Sequence, residues 1–569
     1  MEIHKLIVMG AITQCQPSKD QFLSSIFTIP KKDGSHRFIL NLKCLNNFII
    51  TKHFKLEDVR TLCKLVTTDD YMCTIDLKHA YYLVPINESH KKYLRFTFNK
   101  KIYEFNCMPF GLSTAPLVFT KLLKPAIETL REQGIRIIIY LDDIICLGST
   151  YKECLNNTQT TCNLLQCLGF IINEEKSSIT PSQVKEYLGF TINSRNMTLS
   201  PTLKKRNNLY SLIKNFLKIK SCSIREFAKL LGNLVSVCIA IPYGFVYTKK
   251  LERERFLALE CHNYNFEGIM IMNKPIKTDL MWWKENILVK SSHIKQYNFS
   301  LEIFSDASLM GWGAFCNGQS AQGNWSEWER NQHINYLELL AAFFALRCFA
   351  DKYNDCEVLL RIDNTTAIAY INRMGGVQYP LLNDITRQIW RWCEARNLWI
   401  FASYIKSKEN VEADFQSRNF NVDTEWELAE DIFNIIVNKF GAPDLDLFAS
   451  RINHKCDKYI SWHRDPFAWN IDAFTVKWNS TFFYAFPPFG ILLKVLHKIK
   501  SEKATGILVF PLWPSQVWYP LLKSMVISDI LTFGPSEDLL MSPFRTPHPL
   551  QTQLILAACK LSGKRLKED

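Results

Sequence analysis

The stretch that most constrains this chain is Ile137-Ile138-Ile139-Tyr140-Leu141-Asp142-Asp143-Ile144-Ile145. Two apolar, β-branched runs flank a pair of adjacent carboxylates. Such runs read as two buried strands, with Tyr140 to Asp143 at the turn between them. Two carboxylates held side by side against a core lose water and repel each other. A bound divalent cation would remove most of that cost. The alternative is a polar hairpin turn that happens to carry Asp-Asp, since Asp is common in turns. The rest of the chain has to decide between them.

At 569 residues the chain exceeds what one hydrophobic core can organise, and three or four domains are expected. Its 47% hydrophobic and 22% charged residues are a globular rather than a disordered composition. The net charge of +13 favours a polyanionic partner, most simply nucleic acid. The 18 cysteines include no C-x-x-C pair and no Cys/His cluster with zinc spacing. Free thiols in a reducing compartment follow, so cytosol or nucleus. The start is not a signal peptide, and apolar runs such as 135–141 are too short to span a bilayer, so no membrane partner is expected.

Near the start, Pro30-Lys31-Lys32-Asp33-Gly34-Ser35-His36-Arg37 reads as the tip of a basic hairpin with an Asp-Gly turn. Lys31, Lys32 and Arg37 would project there and could neutralise a triphosphate. A solvated surface hairpin is the bland alternative. Tyr71 to Asp76 reads as a strand ending in a carboxylate, a good position for a metal ligand. Tyr81 follows five residues on; its ring could wall the floor of a sugar pocket or simply pack in the core. Phe105 to Pro116 is a tight turn of small residues in which Gly111 and Ser113 allow close approach of a backbone or a flat ring, and a helix follows from about 115 to 131. Asp76, Asp142 and Asp143 thus come from two strand ends separated by a helix. That arrangement can hold two Mg²⁺ ions against a triphosphate and a primer 3′-hydroxyl.

These blocks, in this order, resemble the reverse transcriptase family. The resemblance rests on Asp76 with Ala80-Tyr81, Pro109-Phe110-Gly111, Tyr140 to Asp143, Gly169 to Ser177, and Tyr187-Leu188-Gly189-Phe190. It implies a right-hand polymerase in which Tyr81 excludes ribonucleotides, Lys31 and Arg37 contact the incoming triphosphate, and Phe110, Gly111 and Tyr140 belong to the substrate site. The implied partners are an RNA template, a DNA primer and dNTPs, with Mg²⁺ or Mn²⁺ as cofactor. Residues 1–199 would be fingers and palm. Residues 200–296 would be thumb and connector helices, with helical apolar spacing in Leu203 to Lys218 and in Ser223 to Val237, and with Ser223 and Glu226 suited to a helix start.

A second set of carboxylates follows. Asp306 sits on a strand before a Gly-rich turn, Glu338 in the apolar helix Ile334 to Ala350, Asp363 at the end of the strand Val358 to Ile362, and Asp414 in Asn410 to Arg418. Four carboxylates from two strand ends and two helices suit a second two-metal site, which would hydrolyse phosphodiesters. This region, 297–420, resembles ribonuclease H, with Asp306, Glu338, Asp363 and Asp414 in the family's order. The resemblance implies cleavage of the RNA strand of an RNA–DNA hybrid. The family often has a His shortly before the final Asn and Asp; that place is Tyr404 here.

Asn41 to Asn46, His53 to Asp58 and the Leu230-Leu231-Gly232 region are similar to DIRS-type, tyrosine-recombinase retroelements. An element of that type would supply a recombinase and a capsid-like protein as further partners. Such elements also carry an adenine-methyltransferase-like domain. Residues 421–569 alternate strand and helix in a Rossmann-like manner, with a strand expected over Asp444 to Ser450. Their order resembles phage-type DNA N6-adenine methyltransferases, which would make Asp446 and Asp472 contacts for S-adenosylmethionine. The family's Asn or Asp before Pro-Pro is replaced by Phe486, which can accept no hydrogen bond, so a degenerate domain is expected. The fold expected for the whole is multidomain α/β and α+β: polymerase hand, ribonuclease H fold, and methyltransferase-type unit. A decayed or domesticated copy that only binds nucleic acid is the competing functional reading.

Overall fold

The computed structural model describes residues 2–30, 36–294, 298–420, 426–542 and 548–564. The chain forms two compact units, residues 1–244 with 258–296, and residues 245–257 with 297–569. The span expected to hold only thumb and connector helices is therefore shared. Its piece 245–257 belongs with the second unit because Tyr247 donates to Glu394 at 2.7 Å and Arg253 to the Val377 carbonyl at 2.8 Å.

In the first unit, strands β1 (Ile26–Pro30) and β2 (His36–Leu40) pair antiparallel as the arms of the basic hairpin. Lys31 and Lys32 lie outside the described residues. The central sheet holds β3 (Tyr71–Lys78), β4 (Arg136–Tyr140), β5 (Asp143–Gly148) and β6 (Ser178–Ser182), in the order β6-β3-β5-β4. The β4 and β5 strands are the two isoleucine runs; Ile137, Ile138, Ile144 and Ile145 are all buried. Helix α1 (Ala115–Glu132) covers one face. It buries Ala115, Phe119, Leu123, Ile127 and Leu130, a stripe at helical spacing. Further on, α2 (Leu203–Lys218) and α3 (Ile224–Val237) form where their apolar spacing predicts. Ser223 and Glu226 close a reciprocal capping box at the start of α3. The 200–296 span is not purely helical, for Ser221–Ser223 pairs antiparallel with Ile269–Ile271.

The second unit contains two five-stranded sheets. The first comprises β7 (Phe299–Ala307), β8 (Gly311–Cys316), β9 (Gln319–Asn324), β10 (Glu357–Ile362) and β11 (Trp399–Tyr404), in the order β9-β8-β7-β10-β11. Strands β7, β10 and β11 run parallel, and β8 and β9 continue as an antiparallel meander. Helix α4 (Ile334–Ala350) is apolar nearly all round and correspondingly buried. Helix α5 (Val411–Arg418) lies against β8 so closely that a Cβ on Gly313 would come within 2.2 Å of the Ala413 carbonyl oxygen.

The second sheet comprises β12 (Leu445–Asp446), β13 (Phe482–Ala485), β14 (Thr505–Pro511), β15 (Leu531–Phe533) and β16 (Leu556–Ser562), in the order β12-β13-β14-β16-β15. One expectation needs correction. The strand expected over Asp444 to Ser450 is only two residues long, because the Asp446 carboxylate turns the chain by accepting from the Phe448 and Lys455 amides. The sheet is mixed. Strands β12, β13 and β14 are parallel, while β16 runs antiparallel to both β14 and β15.

Candidate active site

The Asp-Asp pair sits where two strands meet a third. Tyr140 and Asp143 are opposed across the β4–β5 hairpin, so Leu141 and Asp142 form a two-residue turn. Leu141 has φ 57°, a left-handed conformation that a branched side chain adopts only under constraint. On the other side of β5, Asp143 is the register partner of Asp76 on β3. Two carboxylates on directly opposed residues repel each other. Burial, with the charges of Asp142 and Asp76, pushes the Asp143 carboxyl up to about 6.

The neighbourhood holds these groups in place. Asn173 donates its amide to the Asp76 carboxylate at 2.6 Å and its backbone N–H to the Asp76 carbonyl at 2.8 Å. The Asp76 N–H donates to Ser177 Oγ at 3.0 Å, and Lys176 Nζ lies 4.0 Å from Asp76. The Tyr187 hydroxyl donates to the Asp143 carbonyl at 3.1 Å. Sequence reading gave Asn173, Ser177, Lys176 and Tyr187 no role. They lay inside the Gly169 to Ser177 and Tyr187 to Phe190 blocks, which were the only signal available.

Tyr81 is buried on a 3₁₀ turn, its ring 4.9 Å from that of Phe110 and 5.3 Å from that of Phe119. It therefore packs in the core, while burial and the Asp142 charge push its hydroxyl up to about 12. Phe110 is exposed on one side. Gly111 has φ 96°, which suits glycine, and Asn46 clamps this turn by donating to the Gly111 carbonyl and accepting from the Ser113 amide, both at 2.9 Å. Lys31 and the side chain of Arg37 lie outside the described residues.

In the second unit, Asp306, Glu338 and Asp363 bring carboxylate oxygens within 4.8 Å of one another. It is the one such group of three among the described residues, so Asp76, Asp142 and Asp143 are more loosely gathered. Ser417 donates to Asp306 at 2.6 Å and Ser407 to Asp363 at 2.7 Å. Glu338 Oε2 is buried without a partner. Burial and the charges of Asp306 and Asp363 push this carboxyl up to about 9, against a hydrogen bond from the Ala307 amide. Asp414 does not join the trio. Its carboxylate is held by Arg418, one turn on along α5, at 2.7 Å. Tyr404 ends β11 and is exposed.

Of the C-terminal candidates, Asp446 is buried, with both carboxylate oxygens accepting backbone amides. Asp472 accepts from the Phe474 amide and caps a 3₁₀ turn. Asp446 thus gives both oxygens to its own backbone, while half-buried Asp472 gives one.

Residues 29–192 match the family described as Reverse transcriptase (RNA-dependent DNA polymerase). The chain carries a reverse transcriptase domain. The matched span contains Asp76, Tyr81, Phe110, Gly111 and Tyr140 to Asp143, with Asn173 and Tyr187. The domain is of the type found in retroelement polyproteins. The enzymatic polyprotein of Cauliflower mosaic virus (strain CM-1841) is 22% identical over 424 residues, covering 71% of this chain and 59% of its own length. The Transposon Tf2-3 polyprotein of Schizosaccharomyces pombe is 26% identical over 184 residues, 32% of this chain and 13% of that polyprotein. A solved structure of the foamy viral protease-reverse transcriptase dRH in complex with ds DNA has a TM-score of 0.46 at 17% identity, covering 70% of this chain and 68% of that one. The chain spans about three fifths of the length of the viral polyproteins it matches. No helix among the described residues is long and apolar enough to cross a membrane.

Proposed function

We propose that this chain is the RNA-directed DNA polymerase of a retroelement, extending a primer with dNTPs, and that it also cleaves the RNA strand of RNA–DNA hybrids. The observation that carries the polymerase reading is the Asp76–Asp143 register pair beside Asp142, inside the span that matches the reverse transcriptase family. Burial first, and then the Asp142 and Asp76 charges, make the ionised Asp143 carboxyl costly, and a divalent cation would offset that cost. Asp76, Asp142 and Asp143 would hold Mg²⁺ or Mn²⁺, two ions in all, and Asp306, Glu338 and Asp363 a second such pair with Asp414 as outer ligand. The orphaned, buried Glu338 oxygen is the sign of fit at the second centre. Bound metal supplies charge neutralisation on the phosphate and acidifies the attacking hydroxyl or water.

The remaining work falls to the chain's own side chains. Asn173 orients the Asp76 carboxylate. Tyr81 is buried and backs Phe110, whose exposed ring would meet a deoxyribose, and the Gly111 turn leaves room for the base. Lys31 and Arg37 would contact the triphosphate. In the second centre Ser417 and Ser407 orient Asp306 and Asp363. The DIRS-type assignment rests on the Asn41 to Asn46 and His53 to Asp58 blocks. The C-terminal segment is read as a methyltransferase-like domain without methyl transfer, since the Phe486 side chain offers no acceptor and both Asp446 oxygens are taken by backbone amides. Asp472, half-buried with one oxygen on the Phe474 amide, remains the candidate S-adenosylmethionine contact.

The test separates the two activities. Asp143→Asn should abolish primer extension and leave hybrid cleavage intact, and Asp363→Asn should do the reverse. Cleavage that survives Asp363→Asn removes the ribonuclease reading; extension that survives Asp143→Asn removes the polymerase reading.

A further inference from the structure

Strand β4 is the last strand of its sheet and pairs, among the described residues, only with β5. Its outward-facing backbone groups must find partners elsewhere. An ion pair provides them. The Ile139 N–H donates to Glu57 Oε2 at 3.1 Å, and Arg131 Nη2 donates to the Ile137 carbonyl at 3.0 Å. Arg131 also donates to both Glu57 oxygens, at 2.6 and 2.8 Å. An acceptor and a donor spaced in this way along β4 are what a neighbouring strand would supply. The pair stands in for that strand at the end of β4 that runs into the Asp142 turn.

Separate elements hold the two side chains. Arg131 lies in the last turn of α1. Glu57 directly precedes Asp58, whose carboxylate accepts from the Arg60 and Thr61 amides and starts the helix Val59–Leu65. That helix buries Val59 and Leu62 in one cluster with Ile138. Glu57 is also near the carboxylates. Burial, then the charges of Asp143 and Glu57, push the Tyr187 hydroxyl up, and that hydroxyl donates to the Asp143 carbonyl. The Glu57 and Arg131 side chains are 30% and 43% exposed, so water reaches both and the pair adds little to global stability. What it fixes is local. Leu141, two residues beyond Ile139, is left-handed, and such a turn persists only where its surroundings over-determine it.

We propose that Glu57 and Arg131 are positioning residues, a side-chain substitute for an edge strand that holds the Asp142–Asp143 hairpin in place for metal. The proposal rests on the polymerase reading. The test uses the full chain with Glu57→Ala, Glu57→Gln, Arg131→Ala and the double alanine variant. Pre-steady-state extension, whose amplitude counts active sites, separates slowed chemistry from misfolded protein. Per active site, Glu57→Ala should slow primer extension about tenfold or more and raise the Mg²⁺ concentration for half-maximal extension. Glu57→Gln keeps an acceptor for the Ile139 N–H and should recover most of the rate. The double variant should lose little more than the worse single variant, because the pair acts as a unit. Amide hydrogen exchange in peptides spanning 137–145 should quicken in Glu57→Ala. An unchanged rate per site and Mg²⁺ requirement in Glu57→Ala, or a glutamine variant as impaired as the alanine, overturns the proposal. No incorporation of dNTPs by the native chain overturns the polymerase reading instead. Hydrogen exchange then decides on the clamp alone: quickened exchange supports it, and unchanged exchange overturns it.

Discussion

The Asp414–Arg418 pair bears directly on how the proposed second metal centre would fill. Both are partly exposed, and their 2.7 Å pair holds the Asp414 carboxylate apart from Asp306, Glu338 and Asp363. A cation drawing in Asp414 must compete with this guanidinium. An exposed pair is worth at most about 1 kcal/mol, so Arg418→Ala should lower the Mg²⁺ concentration for half-maximal hybrid cleavage by roughly two- to fivefold. An increase in that concentration would contradict this. Asn173 acts at the other centre. Hydrogen bonds to charged groups contribute about 1.5–3 kcal/mol, so Asn173→Ala should slow primer extension by about tenfold or more if Asp76 must be held. An unchanged rate would show that the bond is dispensable. Asp76, Asp142, Asp143 and Asp363 drew attention in the sequence because each stands at the end of an apolar run, and Glu338 because it interrupts one. Asn173 did not, because its partner lies 97 residues away and only the folded sheet brings them together.

At the scale of elements, the hairpin that carries Asp142 is anchored at its far end. Arg136, the first residue of β4, makes two 2.7 Å hydrogen bonds to Asp70, whose side chain is 1% exposed. Removing one partner of a buried pair leaves the other charge dry. Arg136→Ala should therefore cost about 3 kcal/mol in urea denaturation of the first unit. A loss below about 1 kcal/mol would mean that water or Thr67 compensates. Ser223→Ala should cost about 1 kcal/mol by removing the cap of α3, read by the same denaturation. That cap was legible because Ser223 and Glu226 are three residues apart. The C-terminal sheet was less so. Nothing within Leu556–Ser562 tells which strand it pairs with, and the antiparallel pairing with β14 is a long-range choice. The Asp446 turn was hidden because an aspartate inside an apolar run reads equally as a strand end.

For the whole molecule, the net charge of +13 predicts that primed-template binding is largely electrostatic. Fluorescence anisotropy should show affinity falling steeply and log-linearly as salt rises, by about 10³-fold or more between 50 and 200 mM if six or more phosphates are neutralised. A flat dependence would point to recognition without backbone contacts. Two units, each with a carboxylate centre, also predict that chelation of divalent metal stops both activities while leaving the fold intact by circular dichroism. The division of the chain was only partly legible. The motifs fall in order along the sequence, but the assignment of 245–257 to the second unit depends on Tyr247 and Arg253 finding partners more than 120 residues away.

The central claim is that Asp142, Asp143 and Asp76 form a working polymerase centre. Its most direct test is Mg²⁺-dependent incorporation of dNTPs on a primed RNA template, comparing the native chain with Asp142→Asn. The account predicts incorporation by the native chain and its loss in the variant, with template binding retained. Equal incorporation by both proteins, or template binding without incorporation by the native chain, would contradict it.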